Sequence, residues 1–448
     1  MKKTAHIVMI VMLLIMTQFV VAQMYVSPTR YNYSNVAHRI TASCDTKMEK
    51  VRAIYDWMCG NIRYDTSYRI HTADECYDQR KGVCQAYSEL FYRLCEAVDV
   101  KCIIISGISK DIYGTVKRSG HAWIYAEVEG GSILIDPTWG AGSVNGNRFE
   151  FKEDHDYWYK VDPYWMIFTH FPEDNRFQFL KQPINEQTFA KLPPLDPSCK
   201  YFDWDARDIF QRCMSGEIQT MPQLFPQRGI NLSLSDIPMQ QTLNPATTYH
   251  FEVEANSPIR FAIIANNNEW IWNNLWKQSG NRYSIDLMPG GGKELHIAIE
   301  QPDGSGYKTL VLYKVQPPTA TEQQYISTHQ RPTIYAHTLT DGTKLIEIPP
   351  YKRLSPAQVY HFELECSQSE SFDIIVNDKW YMSDMWTQSG NRYSIDVMPQ
   401  NGGMLKIAIL NHEGSYSTIA EYLVAEPTAK ELQIIQQYIQ NNIKEPIY

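Results

Sequence analysis

Gly120-His121-Ala122-Trp123-Ile124-Tyr125-Ala126-Glu127-Val128-Glu129-Gly130-Gly131-Ser132-Ile133-Leu134-Ile135-Asp136 is the stretch from which the fold of the N-terminal third is read. Two apolar, β-branched and aromatic runs, His121 to Val128 and Ser132 to Ile135, flank a Gly-Gly pair. That pattern is a β-hairpin with its turn at Gly130-Gly131. The hairpin sets His121 at the start of one strand beside Asp136 at the end of the next, 15 residues on (136 − 121). A histidine beside a carboxylate is an oriented base, and its natural partner is a nucleophile distant in sequence.

Upstream, Lys81-Gly82-Val83-Cys84-Gln85-Ala86-Tyr87 opens a second pattern. Tyr87, Leu90, Phe91, Leu94 and Val98 fall on one helical face, so a helix begins near Cys84. A helix start offers unpaired N–H groups and partial positive charge, and both favour a thiolate. Gly82 is expected to allow a tight turn into this helix. Further upstream, Met48, Val51, Ile54, Tyr55, Met58 and Ile62 form another helical stripe. Lys101 to Ser106 reads as a strand. Helices followed by strands give an α+β domain.

The order Cys84, then His121-Ala122-Trp123, then Asp136-Pro137-Thr138-Trp139-Gly140-Ala141-Gly142 resembles the transglutaminase-like superfamily. Within it the chain is similar to the kyphoscoliosis-peptidase-like branch. Ile54-Tyr55-Asp56-Trp57, Asn61-Ile62-Arg63-Tyr64-Asp65 and Thr169-His170-Phe171-Pro172-Glu173-Asp174 carry the likeness further, over about residues 45 to 195. The resemblance implies a papain-like fold whose catalytic residues are Cys84, His121 and Asp136. It also implies β-sandwich domains downstream, and a peptidase, amidase or transglutaminase working through an acyl-thioester. Papain-like sites usually add a side-chain oxyanion donor. Tyr77 and Gln79 lie in the right stretch, and neither is assigned. His170 reads as structural, closing the domain.

Downstream the dominant feature is duplication. Gln278-Ser279-Gly280-Asn281-Arg282-Tyr283-Ser284-Ile285-Asp286 returns unchanged at Gln388 to Asp396, an offset of 110 (388 − 278). Tyr249-His250-Phe251-Glu252 returns as Tyr360-His361-Phe362-Glu363, and Pro318-Thr319-Ala320 as Pro427-Thr428-Ala429. So long a period means repeated domains. Short alternating runs between Gly, Asn and Pro clusters make each an all-β, immunoglobulin-like sandwich. The expected layout is leader 1–22, transglutaminase-like domain 23–195, sandwiches 196–316 and 331–426, linker 317–330 and a C-terminal helix or tail 427–448.

The leader is read from Lys2 and Lys3, the apolar run Ile7 to Met16, and Val20-Val21-Ala22 before Gln23. It predicts a secreted, periplasmic or cell-surface protein with no membrane span after cleavage. The net charge of −9 and the lack of a basic run argue against nucleic acid as a partner. The expected partner is a protein or peptide substrate, with a cell-surface protein or polysaccharide as the rival for the sandwiches. That rival makes the whole chain a non-catalytic adaptor. The nine cysteines show no zinc-ligand spacing, and their pairing is not legible. Glu153-Asp154-His155-Asp156 reads as a solvated loop, and no metal or cofactor is expected.

Overall fold

The computed structural model describes residues 26–226, 232–256, 260–265, 269–272, 276–301, 303–335, 343–367, 370–377, 379–381, 385–410 and 414–442. The expected leader, 1–22, lies outside the described residues. Among those described, no helix is long and apolar enough to cross a membrane. The chain forms two compact units that divide near residues 221 and 222.

The first unit is α+β. Its helices and strands run α1 (Ser34–Ile40), α2 (Lys47–Asn61), β1 (Arg63–Tyr64), α3 (Ala73–Gln79), β2 (Lys81–Gly82), α4 (Cys84–Glu96), β3 (Cys102–Lys110), β4 (Val116–Val128) and β5 (Gly131–Ile135). They continue through α5 (Pro137–Ala141), β6 (Gly142–Asn145), β7 (Arg148–Phe151), α6 (Pro163–Met166), β8 (His170–Pro172), α7 (Glu186–Lys191) and α8 (Ala206–Met214). The main sheet is antiparallel, in the order β5-β4-β3-β8. Thr46 and Glu49 close a capping box at the start of α2, whose Val51, Ile54, Tyr55 and Met58 are buried. Helix α4 buries Tyr87, Leu90, Phe91 and Leu94, the stripe read from the sequence. The unit continues past residue 195: Phe210 of α8 packs edge-on against Phe168 and Tyr164, and Ile209 is buried beside it.

Two local findings differ from the sequence reading. Gly82 has no left-handed backbone; a Cβ there would stand 2.8 Å from the Ala86 Cβ and 3.1 Å from Cys76 Sγ. Its need is for room at the entrance to α4, and a turn does not explain it. Strand β4 also begins earlier than His121, at Val116, and its pairing with β3 slips between Gly107↔His121 and Ser109↔Lys117. The extra residues end at Gly120, φ 85°, so the strand kinks immediately before His121.

The second unit holds the two repeats, each made of two sheets. In the first copy, 232–236, 249–255, 282–287 and 277–279 form one sheet. Strands 242–243, 307–315, 294–300, 261–265 and 269–272 form the other, with 223–224 added against 307–315. The second copy repeats this order and register: Phe251↔Ile285 matches Phe362↔Ile395, and His250↔Asp286 matches His361↔Asp396. Even the slips recur, at Leu234/Asp236 and Leu345/Glu347. In the second copy Phe362, Leu364, Tyr393 and Ile395 of one sheet share a core with Phe372, Ile374, Leu405, Ile407 and Tyr422 of the other. The nine identical residues form an edge strand, a turn and an inner strand, with Gly280 (φ 62°) and Gly390 (φ 64°) in the left-handed region. Tyr283 and Tyr393 hydroxyls accept from the Gln278 and Gln388 amides at 3.1 and 2.9 Å.

The repeated module is longer than the sheets. Ala320–His329, inside the stretch read as a linker, is a helix, and so is Ala429–Asn442. Asn244 Nδ2 donates to Glu322 at 2.7 Å, and Ser355 Oγ to Glu431 at 3.0 Å, so both helices are tied to their own copy in the same way.

Candidate active site

Cys84 is the first residue of α4, and its N-cap is Val83, which supplies no side-chain cap. Helices α2, α3, α5, α6, α7 and α8 are capped by Thr46, Thr72, Asp136, Asp162, Asn185 and Asp205. A valine there forgoes about 1 kcal/mol of capping. It leaves first-turn N–H groups open beside the Cys84 sulfur. Burial alone would push the thiol pKa up. A hydrogen bond to His121, the imidazole's charge and the Ala122 N–H outweigh it, and the thiol ends below its ordinary value. Burial pushes the thiols of Cys59, Cys76, Cys95, Cys199 and Cys213 the other way. All nine cysteines are free thiols.

His121 follows the β4 kink and is the first buried residue of that strand. Its Nε2 lies 2.8 Å from Asp136 Oδ2, which leaves Nδ1 for the Cys84 side. Burial disfavours the imidazolium, but the Asp136 charge and hydrogen bond, with Cys84, raise its pKa to about 10.

Asp136 is fully buried and does more than end a strand: it is the N-cap of α5, followed by Pro137 at the first helical position. Its Oδ1 accepts the Thr138 and Trp139 N–H groups at 2.8 and 3.0 Å. Burial opposes its charge, yet the His121 charge and hydrogen bonds from His121 and His170 hold it well below the usual carboxylate range. Gly140 lets α5 close against α2, since a Cβ there would collide with the Tyr55 hydroxyl.

The sequence reading took His170 as structural and did not place it against Asp136. Its Nε2 lies 3.0 Å from Asp136 Oδ2, the oxygen that also receives His121, and its Nδ1 is 2.9 Å from Thr169 Oγ1. Burial lowers its pKa to about 4. The ring centroid sits 5.0 Å from that of Trp123, 4.7 Å from Trp139 and 5.3 Å from Trp158. The sequence signal was the Thr169 to Asp174 motif, which carries no chemistry by itself. His121, Asp136 and His170 have ligand-type atoms within 4.8 Å of one another. Separations of 2.8 and 3.0 Å are those of N–H donors on a carboxylate.

Tyr64 is a second missed neighbour. Burial first, then the nearby Cys84 charge, raises its phenol pKa. Tyr77 instead packs edge-on against Tyr31 and Tyr33 and under the Arg80 guanidinium. The acidic loop at 153–156 is tied to α2: His155 Nε2 lies 3.0 Å from Asp56, and Arg52 reaches Asp156 at 2.5 Å.

With this geometry in place, residues 34–163 match the family model of the transglutaminase-like superfamily. This segment of the chain belongs to that superfamily. The transglutaminase-like segment is similar to kyphoscoliosis peptidase from Homo sapiens, 32% identical over 157 residues, 32% of this chain and 24% of that protein. It is also similar to Hillarin from Drosophila melanogaster, 25% identical over 185 residues, 36% and 22% of the two chains. The chain thus spans about a quarter of the length of these relatives. A solved TGase structure overlaps at 15% identity and TM-score 0.20, over 23% of this chain and 31% of that one.

Proposed function

We propose that the chain is a secreted cysteine-dependent enzyme acting on amide bonds of proteins or peptides. The observation that carries this reading is the contrast among its thiols: Cys84, at an uncapped helix start beside His121, is held below its ordinary pKa, while burial raises its buried counterparts. The Cys84 thiolate attacks the carbonyl carbon. Open N–H groups at the start of α4 receive the charge that develops on the carbonyl oxygen. His121 gives its proton to the departing amine, leaving a thioester. Water then attacks the thioester, surrendering its proton to His121, and the acid product leaves. An amine in place of water gives a transglutaminase. Asp136 keeps the imidazole in one orientation throughout. The two repeats are read as immunoglobulin-like sandwiches that hold the enzyme to protein or polysaccharide.

The test is alkylation and turnover of the full mature chain. A Cys84→Ala variant that hydrolyses labelled casein or p-nitrophenyl acetate as fast as wild type defeats the reading. A second reading, a non-catalytic adaptor, draws on the exposed His250–Asp286 and His361–Asp396 pairs retained in both copies. It requires a Cys84 no more reactive than Cys95.

A further inference from the structure

We propose that His170 is a positioning residue of this reaction, a neutral imidazole that donates to Asp136 Oδ2 and locks the carboxylate toward His121. The inference rests on the reading of Cys84, His121 and Asp136 given above and deepens it.

The argument starts from acceptor capacity. An ionised carboxylate only accepts, at about four lone-pair sites. All four are met at Asp136: Oδ1 by the N–H groups of Thr138 and Trp139, Oδ2 by His121 and His170. Both His170 and Asp136 side chains are 0% exposed, so no water competes for those sites. The Nε2 of His170 must carry a proton, because its partner can only accept. Its Nδ1 is then an acceptor, matched by the Thr169 hydroxyl at 2.9 Å. The ring is therefore in one tautomer and uncharged, since a second imidazolium beside His121 would be repelled. Its burial works in the same direction.

The division of labour follows from this. His121 holds the mobile proton; His170 holds none that moves. With four donors in place the Asp136 side chain cannot rotate without breaking two bonds. Without His170, Oδ2 keeps only the His121 donor and the carboxylate is held less firmly toward it. His121 then loses its fixed direction, and the step most exposed to that is deacylation, in which the imidazole must take a proton from water. Thiolate formation at Cys84 needs only the charge of His121 and is spared.

This separation supplies the test. In the full chain, p-nitrophenyl acetate acylates Cys84 in a burst and is then turned over by deacylation. His170→Phe fills the ring's space without a donor; His170→Gln restores an N–H near the place of Nε2. The expected result is a burst of one equivalent in both variants. The steady-state rate should fall about 10- to 100-fold in His170→Phe, with KM falling alongside it and kcat/KM little changed, and recover most of the loss in His170→Gln. Equal steady-state rates in wild type and both variants, with the burst intact, would overturn the positioning role alone. A wild-type protein with no Cys84-dependent burst overturns both readings. Should His170→Phe not fold, nitrogen-15 NMR of the wild-type histidines decides. A neutral Nε2–H ring at position 170 from pH 7 to 5 supports the proposal, and an Nδ1–H or charged ring sinks it.

Discussion

Tyr64 pairs with Gly82 across the parallel contact of β1 and β2, so the strand carrying Tyr64 runs beside the backbone that leads into Cys84. The Asp65 N–H donates to the Gly82 carbonyl at 2.9 Å, and the Val83 N–H to Ile70 at 3.0 Å, which fixes that backbone from both sides. That placement, with the Cys84 charge acting on its phenol, makes Tyr64 the side chain to test as an oxyanion donor. Tyr64→Phe is expected to slow acylation by p-nitrophenyl acetate about 100-fold, the order seen on losing one such donor. Alkylation by iodoacetamide, which develops no oxyanion, should change little. Equal losses in both reactions would assign Tyr64 to the thiolate instead.

The charges on Cys84 and His121 set a pH window. The thiol lies below its ordinary pKa and the imidazole near 10, so Cys84 ionises at lower pH than the buried thiols while His121 still carries its proton. Iodoacetamide at pH 6 should label Cys84 ahead of Cys59, Cys76 and Cys95, read by mass spectrometry. His121→Ala removes the charge and should slow that labelling roughly 10- to 100-fold. Asp136→Asn should slow turnover more than alkylation, because it disturbs the imidazole's orientation before its charge. Labelling of Cys84 that is indifferent to His121→Ala would dismiss the pair.

Much of this site was legible in the sequence because its parts announce themselves locally. The apolar stripe of α4 placed Cys84 at a helix start, and the Gly130-Gly131 hairpin set His121 beside Asp136. The misses share one physical cause, which is that a contact distant in sequence has no local signature. His170 reaches Asp136 only because β8 pairs with β3, with His170 against Ser109. Gly82 looked like a turn residue, although what it lacks is room beside Cys76 and Ala86. Asp136-Pro137-Thr138 did carry a local signal, an N-cap followed by proline, but the strand before it masked the single helical turn. The repeat was plain from identity. Its first helix was missed although Thr319-Ala320-Thr321-Glu322 carries a capping-box pattern, while the second, Ala429–Asn442, lies in the stretch expected as a C-terminal helix or tail.

That repeated cap gives a paired prediction. Thr319 accepts from the Glu322 N–H, and Thr428 from the Glu431 N–H, at 3.3 Å in both copies. Thr319→Ala and Thr428→Ala should each destabilise their helix by about 1 kcal/mol. Hydrogen exchange of residues 320–329 and 429–442 measures this, and the two losses should match. A loss confined to one helix would mean that the copies do not share this anchor.

The last prediction concerns acid stability. His170 titrates near 4 in the folded chain and near ~6.5 when unfolded. Between those values the unfolded state binds the extra proton, so stability falls as pH drops from ~6.5 to about 4, by about 3 kcal/mol in all. His121 acts in the opposite sense. Its folded value near 10 contributes stability that is complete below ~6.5 and is lost as pH rises through 10. Asp136, held low, adds a loss only below ~3.9, on the acid side of the His170 window. Protection of strands β3 and β4 against hydrogen exchange should thus decline on the acid side of pH ~6.5 and again as pH approaches 10, the depressed Cys84 thiol offsetting the His121 loss in between. His170→Gln does not titrate, so its acid decline between 6.5 and 4 should flatten while the alkaline decline stays. An unchanged acid slope in that variant would mean His170 is already protonated in the folded protein, and Asp136 would then hold two imidazolium partners.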